Sequence, residues 1–338
     1  MGRFTVAKQH IRIGERAFQA AAFAVVRINA GVGDVETVRL ALAVLSMEQF
    51  VRNSHALDLL VVHHQREEKE EKETCNAVNF IVDRTNRVLD PKHVQDTLVR
   101  VRCNAHPLYL DGVTCVGSGV FPDAAMALNH SCLPNVTPSF NPRTRNLAFH
   151  AIAEIFQGNA VEYSYIDLLQ TRKRRQSILA RGFGFDCTCE RCMKETVKER
   201  SPVRQDGDDE EDRVLEKLMQ LVNSSDSDVK HRLVHLKNQY EHVFEHNDEA
   251  QFALYTAEMQ VARVHSDWGH VVKAAEMLLQ IWTRCGLPHY YNTTETLHLQ
   301  VHFAAKHLGM TEKAKTSAQQ VASIRQICGY SHPEALVD

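Results

Sequence analysis

Asn129-His130-Ser131-Cys132-Leu133-Pro134-Asn135 sets five side chains that hydrogen-bond or bind metal within seven positions. An asparagine amide offers two donors and an acceptor, enough to hold a polar heterocycle or to fix a tight backbone crossing. Pro134 removes a backbone donor and stiffens the chain beyond it. The apolar Met126-Ala127-Leu128 leads into the segment. Taken alone, such a stretch is an ordinary polar turn.

Two later stretches change that reading. Gly158-Asn159-Ala160-Val161-Glu162-Tyr163-Ser164-Tyr165-Ile166-Asp167 carries two tyrosines on one face of a strand, by the period of two. Phe183-Gly184-Phe185-Asp186-Cys187-Thr188-Cys189-Glu190-Arg191-Cys192 carries three thiols within six residues. Three local cysteines need a fourth ligand to close a tetrahedral structural zinc site. Cys132, in the other polar hotspot, is the obvious candidate. The expected ligand set is therefore Cys132, Cys187, Cys189 and Cys192, with sulfurs converging to within about 4 Å.

The remaining cysteines fit that picture. The chain has 9 cysteines, an odd number, among 338 residues. No signal peptide is read at the start, because Ala20 to Val26 is short and lacks a basic flank and cleavage site. Reduced thiols, and hence the cytoplasm or nucleus, are expected in preference to a disulfide framework. No run of 18 apolar residues exists, so no membrane-spanning helix is expected. Lys and Arg number 39 against 42 Asp and Glu, a net charge of −3, which carries no overall basic footprint for direct nucleic-acid binding. At 44% apolar and 24% charged residues, the chain has the make-up of a folded protein, and its length fits two domains or one domain with large appendages.

Outward from the motifs, the pattern divides. Phe4 to Ala7 and Phe18 to Val26 read as short strands around a turn at Ile13-Gly14-Glu15. Residues 34–62 read as helix, with Val35, Val38, Leu42, Leu45, Phe50, Leu57 and Leu60 at helical spacing. The charged run 66–73 reads as a solvated helix face or loop. His63-His64 has no third ligand nearby and is not read as a metal site. Residues 76–160 hold short apolar segments at Cys115 to Phe121, Val136 to Phe140 and Leu147 to Ile155, which suggests an irregular, mostly β domain. Residues 200–212 read as a linker. Beyond them, helical spacing runs almost unbroken to 328, with helices over 249–264, 268–284, 292–308 and 311–328. Gly286 and Gly309 stand where a left-handed cap is needed. This is a weak tetratricopeptide-like repeat, at roughly 40 residues per helix pair.

The three motifs, in that order and spacing, resemble the SET domain and post-SET zinc motif of lysine methyltransferases. Cys103-Asn104-Ala105-His106 and Val116-Gly117-Ser118-Gly119-Val120-Phe121-Pro122 resemble the stretch before the Asn-His-Ser-Cys motif in the SET-and-MYND subfamily. Gly2-Arg3-Phe4-Thr5-Val6-Ala7 with Ile13-Gly14-Glu15 is similar to the family's opening strand and turn, and the helical tail with Gly329-Tyr330-Ser331-His332-Pro333 is similar to the subfamily's C-terminal domain. Four departures stand out. No cysteine precedes Cys75, so the MYND finger is expected to be missing. Phe4 stands where a second glycine is usual. Gly158-Asn159-Ala160 replaces Gly-Glu-Glu, and Phe183 replaces a common tyrosine.

The resemblance implies an α+β fold. An irregular β-rich SET domain spans 1–167 with a helical insertion at 34–100. A post-SET zinc-binding segment follows at 168–195, a linker at 196–212 and an all-α tetratricopeptide-like domain at 213–338. It implies a protein-lysine N-methyltransferase that takes a methyl group from S-adenosylmethionine, with zinc as the structural metal. Tyr165 is the implied catalytic hydroxyl. Asn104, Asn129, His130, Tyr165 and Phe185 are implied at the cofactor, with Phe183 either lining the lysine channel or packing. The implied partner is a protein, histone or non-histone, with an exposed lysine, met by a monomer. The departures leave a second reading open: a catalytically weak SET-fold scaffold acting through its helical repeats.

Overall fold

The computed structural model describes residues 4–27, 33–50, 60, 68–84, 89–199, 208–222 and 228–330. Residues 51–59 and 61–62 of the helix expected over 34–62, the His63-His64 pair, residues 200–207 of the expected linker and residues 331–333 of the tail lie outside them. Two compact units are present: Met1–Ile166 with Lys173–Cys187 and Gln326–Asp338, and Asp167–Arg172 with Thr188–Arg325.

The first unit is built on three small sheets. Strands β1 (Arg16–Ala21) and β2 (Ala24–Arg27) are separated by a break at Ala22-Phe23, so the single strand expected over Phe18 to Val26 is two. They join different sheets. β1 pairs antiparallel with β7 (Asn146–Ala151), which pairs antiparallel with β6 (Val136–Asn141). β2 and β3 (Ala105–Tyr109) flank β4 (Cys115–Val120), also antiparallel. The third pair, β5 (Asn129–His130) with β8 (Glu162–Tyr163), is parallel. The expected strand at Phe4 to Ala7 is only an isolated bridge, Val6 with Ala160. Its partner stretch turns at Gly158, with φ +87°, and cannot extend the ladder.

Leu128, Phe121, Val136, Leu147, Phe149 and Ile155 form the core between these sheets. A second cluster, with Leu40, Val44, Ile81, Val94 and Leu98, packs helices against β2 and β4. Those helices are Gly33–Phe50, Glu68–Arg84 and Pro91–Asn104. Of the stretch 76–160 that reads as mostly β, residues 76–84 and 91–104 are helical. The cause is local. Asp90 caps the last helix by accepting His93 N–H at 3.0 Å, Pro91 occupies its first turn, and Val94, Leu98 and Val101 fall on one buried face.

The second unit has helices and no strands among its described residues. Asp248–Val264, Trp268–Arg284, Asn292–His307 and Thr311–Cys328 match the expected helices to within one residue at each end. Asn247 and Asp267 cap the first two through Ala250 N–H and His270 N–H. Gly286 and Gly309 take φ +66° and +69°, and the following N–H groups of Leu287 and Met310 reach back to Trp282 and Ala305. That is the helix-ending bond pattern that a left-handed glycine permits.

Candidate active site and metal centre

Leu128 ends a short helix, Pro122–Ala127, by donating its N–H to the Ala124 carbonyl at 3.0 Å. The chain then enters β5, where Asn129 faces Glu162 and His130 faces Tyr163. Ser131 N–H continues the pairing to the Tyr163 carbonyl and Asn135 N–H to the Glu162 carbonyl, each at 3.0 Å. Asn135 closes it with its side chain. Its amide donates to the Ala160 carbonyl at 2.7 Å, and its carbonyl accepts Glu162 N–H at 2.9 Å. The last asparagine of the motif thus fixes a backbone crossing. Its sequence reading assigned it no place in the site, although its donors and acceptor were the signal.

This crossing sets Tyr165 over the motif. Tyr165 N–H donates to His130 Nδ1 at 3.0 Å, and its hydroxyl donates to the Leu128 carbonyl at 2.7 Å. Its ring lies 4.9 Å from Tyr163, 5.0 Å from Phe183, 5.3 Å from His130 and 6.4 Å from Phe185, between centroids. Burial pushes the Tyr165 phenol well above its ordinary range, and the Glu162 charge adds to this. The hydroxyl is protonated at neutral pH, so it can orient a partner but not act as a base. Of the residues expected at the cofactor, His130, Tyr165 and Phe185 are grouped together, and Phe185 lies 6.1 Å from His130. Asn129 is half-buried in β5.

Asn104 ends the helix before β3, buried, with its amide donating to the Arg100 carbonyl at 2.8 Å. Its own carbonyl accepts from His106 Nδ1 at 3.2 Å, and His106 Nε2 accepts the Tyr163 hydroxyl at 2.8 Å. Asn104 is linked to the tyrosine strand through this histidine, which its sequence reading did not single out.

Cys132, Cys187, Cys189 and Cys192 bring their sulfurs to within 4.8 Å of one another, with Cys189 half-buried and the other three buried. Cys132 and Cys187 are 3.9 Å apart. Sulfurs around a tetrahedral ion with bonds of about 2.3 Å stand about 3.8 Å apart, so that pair already sits at the required separation. The full spread is somewhat wider than the expected 4 Å. No disulfide forms among the 9 cysteines. The all-sulfur donor set is one that can hold a metal ion such as zinc.

The helix Arg172–Phe183 braces this group. Gln176 clasps the backbone of Cys187, donating to its carbonyl and accepting its N–H, both at 2.7 Å. Arg172 Nε donates to the Cys192 carbonyl at 3.2 Å. Arg175 Nε donates to Cys132 Sγ at 3.2 Å. None of these three was singled out in the sequence, where Arg172-Lys173-Arg174-Arg175 is a run of four basic residues. The available signal was the four-residue step from Arg175 to Leu179, which places both on one helix face.

No protein-family model matches the chain. It is similar to the N-lysine methyltransferase SMYD2 of Gallus gallus, 29% identical over 180 residues, which is 50% of this chain and 41% of that protein. The Bos taurus protein of the same name is 24% identical over 267 residues, covering 72% of this chain and 60% of the relative. The histone-lysine N-methyltransferase set5 of Schizosaccharomyces pombe is 41% identical over 73 residues, 22% of this chain and 23% of the relative. The chain thus spans less than half the length of the chicken relative and less than two thirds of the bovine one. The resemblance to SET-and-MYND-type lysine methyltransferases is borne out by these homologues. No helix among the described residues is long and apolar enough to cross a membrane.

Proposed function

We propose that the chain is a protein-lysine N-methyltransferase of SET type. It uses S-adenosylmethionine, and a protein with an exposed lysine, histone or non-histone, is its substrate. On this reading residues 1–167 are the SET domain with its helical insertion at 34–100, residues 168–195 the post-SET segment, and residues 213–338 a tetratricopeptide-like domain. The observation that carries the reading is the placement of Tyr165. Its protonated hydroxyl is committed to the Leu128 carbonyl, inside a ring formed by Tyr163, His130, Phe183 and Phe185. The naming of homologues as lysine methyltransferases supports it.

S-adenosylmethionine, when bound, supplies a methyl group on a sulfonium that departs as a thioether. The chain's own work is alignment and drying. A neutral lysine amine must point its lone pair along the methyl–sulfur axis, free of water. With its proton spent on Leu128, the Tyr165 oxygen has lone pairs left to accept an amine N–H and so turn the amine. The aromatic walls exclude water from the amine. Asn129 and His130 would hold the cofactor through side chain and backbone, Asn104 would face its amino-acid end, and Phe185 would stack near its adenine. Cys132, Cys187, Cys189 and Cys192 would hold a structural zinc, which would pin the segment after Tyr165 against the Asn129–Asn135 turn.

Calorimetric titration of S-adenosylmethionine into the purified chain tests this. One site per chain is expected, followed by methyl transfer to a lysine-rich protein mixture. Absence of binding at millimolar cofactor overturns the enzyme in favour of a scaffold.

A further inference from the structure

Arg175 lies in a run of four basic residues, yet its side chain is 0% exposed. A guanidinium stays charged at any physiological pH, and a buried charge is costly unless an opposite charge answers it. Arg175 Nε–H points at Cys132 Sγ, 3.2 Å away, and Cys132 is also 0% exposed. The same sulfur meets a ring nitrogen as well. His130 Nε2 is 3.3 Å from it. The proton on that nitrogen is assigned by the other end of the ring: Nδ1 accepts the Tyr165 backbone N–H, which can only donate. Nε2 therefore carries the hydrogen and donates to Cys132. A neutral thiol is a weak acceptor for two N–H groups, and a metal-bound thiolate is a strong one. Four thiolates on a divalent ion hold a net double negative charge, which the guanidinium halves.

We propose that Arg175 and His130 are positioning residues of the metal site, both donating to the Cys132 sulfur, and that His130 ties metal occupancy to the backbone of Tyr165. The inference rests on the zinc reading above. Outer partners of this kind orient a ligand and tune its charge, and losing one costs about 10–100-fold in metal affinity. The coupling has a definite route: sulfur to imidazole to the Tyr165 amide.

Zinc affinity of the full chain is measured by competition with a chromogenic chelator. Arg175→Met is expected to bind zinc about 10–100-fold more weakly than wild type, with circular dichroism in excess zinc unchanged. A wild type that takes no zinc overturns the metal reading, and this inference with it. Zinc bound equally by wild type and Arg175→Met overturns the inference alone. Should Arg175→Met fail to fold, Arg175→Lys decides. It keeps the charge and changes the donor, so the sulfur-to-metal band of its Co²⁺ form must shift, and an unshifted band overturns the proposal. Hydrogen exchange reads the coupling without any activity. Removing zinc from wild type, or introducing His130→Phe, is expected to speed exchange at the Tyr165 amide, and unchanged exchange in both overturns the link.

Discussion

The Tyr163 hydroxyl donates to His106 Nε2 at 2.8 Å, across 57 residues of sequence, with both side chains buried. His106 Nδ1 is engaged by the Asn104 carbonyl at 3.2 Å, a group that only accepts, so the ring is neutral with its hydrogen on Nδ1. A second proton on Nε2 would reverse the bond, with the Tyr163 oxygen accepting.

Acid stability should carry the mark of that ring. Burial lowers the His106 pKa from 6.5 to about 4, against a smaller opposing effect of the Asn104 bond. Between those values the unfolded chain binds a proton that the native chain refuses, so stability rises with pH in this window and is lost as pH falls through it. The full effect is about 3 kcal/mol, at about 1.4 kcal/mol per unit. Denaturant midpoints at pH 7 and pH 5 should separate less in His106→Gln than in wild type. Equal separation would acquit His106.

Tyr165→Phe removes one hydroxyl and almost no volume. On the proposed role of Tyr165 at the amine, losing this preorganised group is expected to cost about 2.7–4 kcal/mol in the barrier, roughly 10²–10³ in rate. Cofactor affinity should change far less, and stability by about 1 kcal/mol, the net worth of the bond to Leu128. Single-turnover methylation alongside cofactor titration separates these. An unchanged rate removes Tyr165 from the mechanism.

One zinc per chain is expected in native mass spectrometry. Cys132→Ser, which removes the ligand distant in sequence from the other three, should lose the metal and lower the thermal midpoint, because binding free energy at a structural site is also folding free energy. A Cys132→Ser chain that keeps full zinc affinity would exclude Cys132 as a ligand.

Gly117 pairs with Arg27 where β4 meets β2, and a Cβ there would lie 1.9 Å from the Val26 carbonyl oxygen. Gly117→Ala must push the two strands apart. It is expected to cost about 2 kcal/mol or more, within the range of overpacked sites, read from denaturant unfolding. A change below about 0.5 kcal/mol, the scatter of surface substitutions, would mean the strand yields freely.

Local interactions decided the part of the fold that was legible in the sequence. The four helices from Asp248 to Cys328 were bounded correctly, because helical hydrogen bonds span four residues and Gly286 and Gly309 mark their own stops. The cysteine group was legible because three members fall within six residues and the fourth sits in an equally dense motif. Pairings across long stretches of chain were not. Phe4 to Ala7 looked like a strand, yet Val6 found only Ala160 as a partner. Arg175 stands in a run of basic residues, yet its side chain is buried with Nε–H on Cys132, 43 residues away. Nor did composition mark His106 as the partner of Tyr163. Each is a strand pairing or a buried polar contact between residues far apart in the chain, whose partner is chosen only by how the chain crosses itself in the fold. A buried donor must find its acceptor wherever that crossing delivers one.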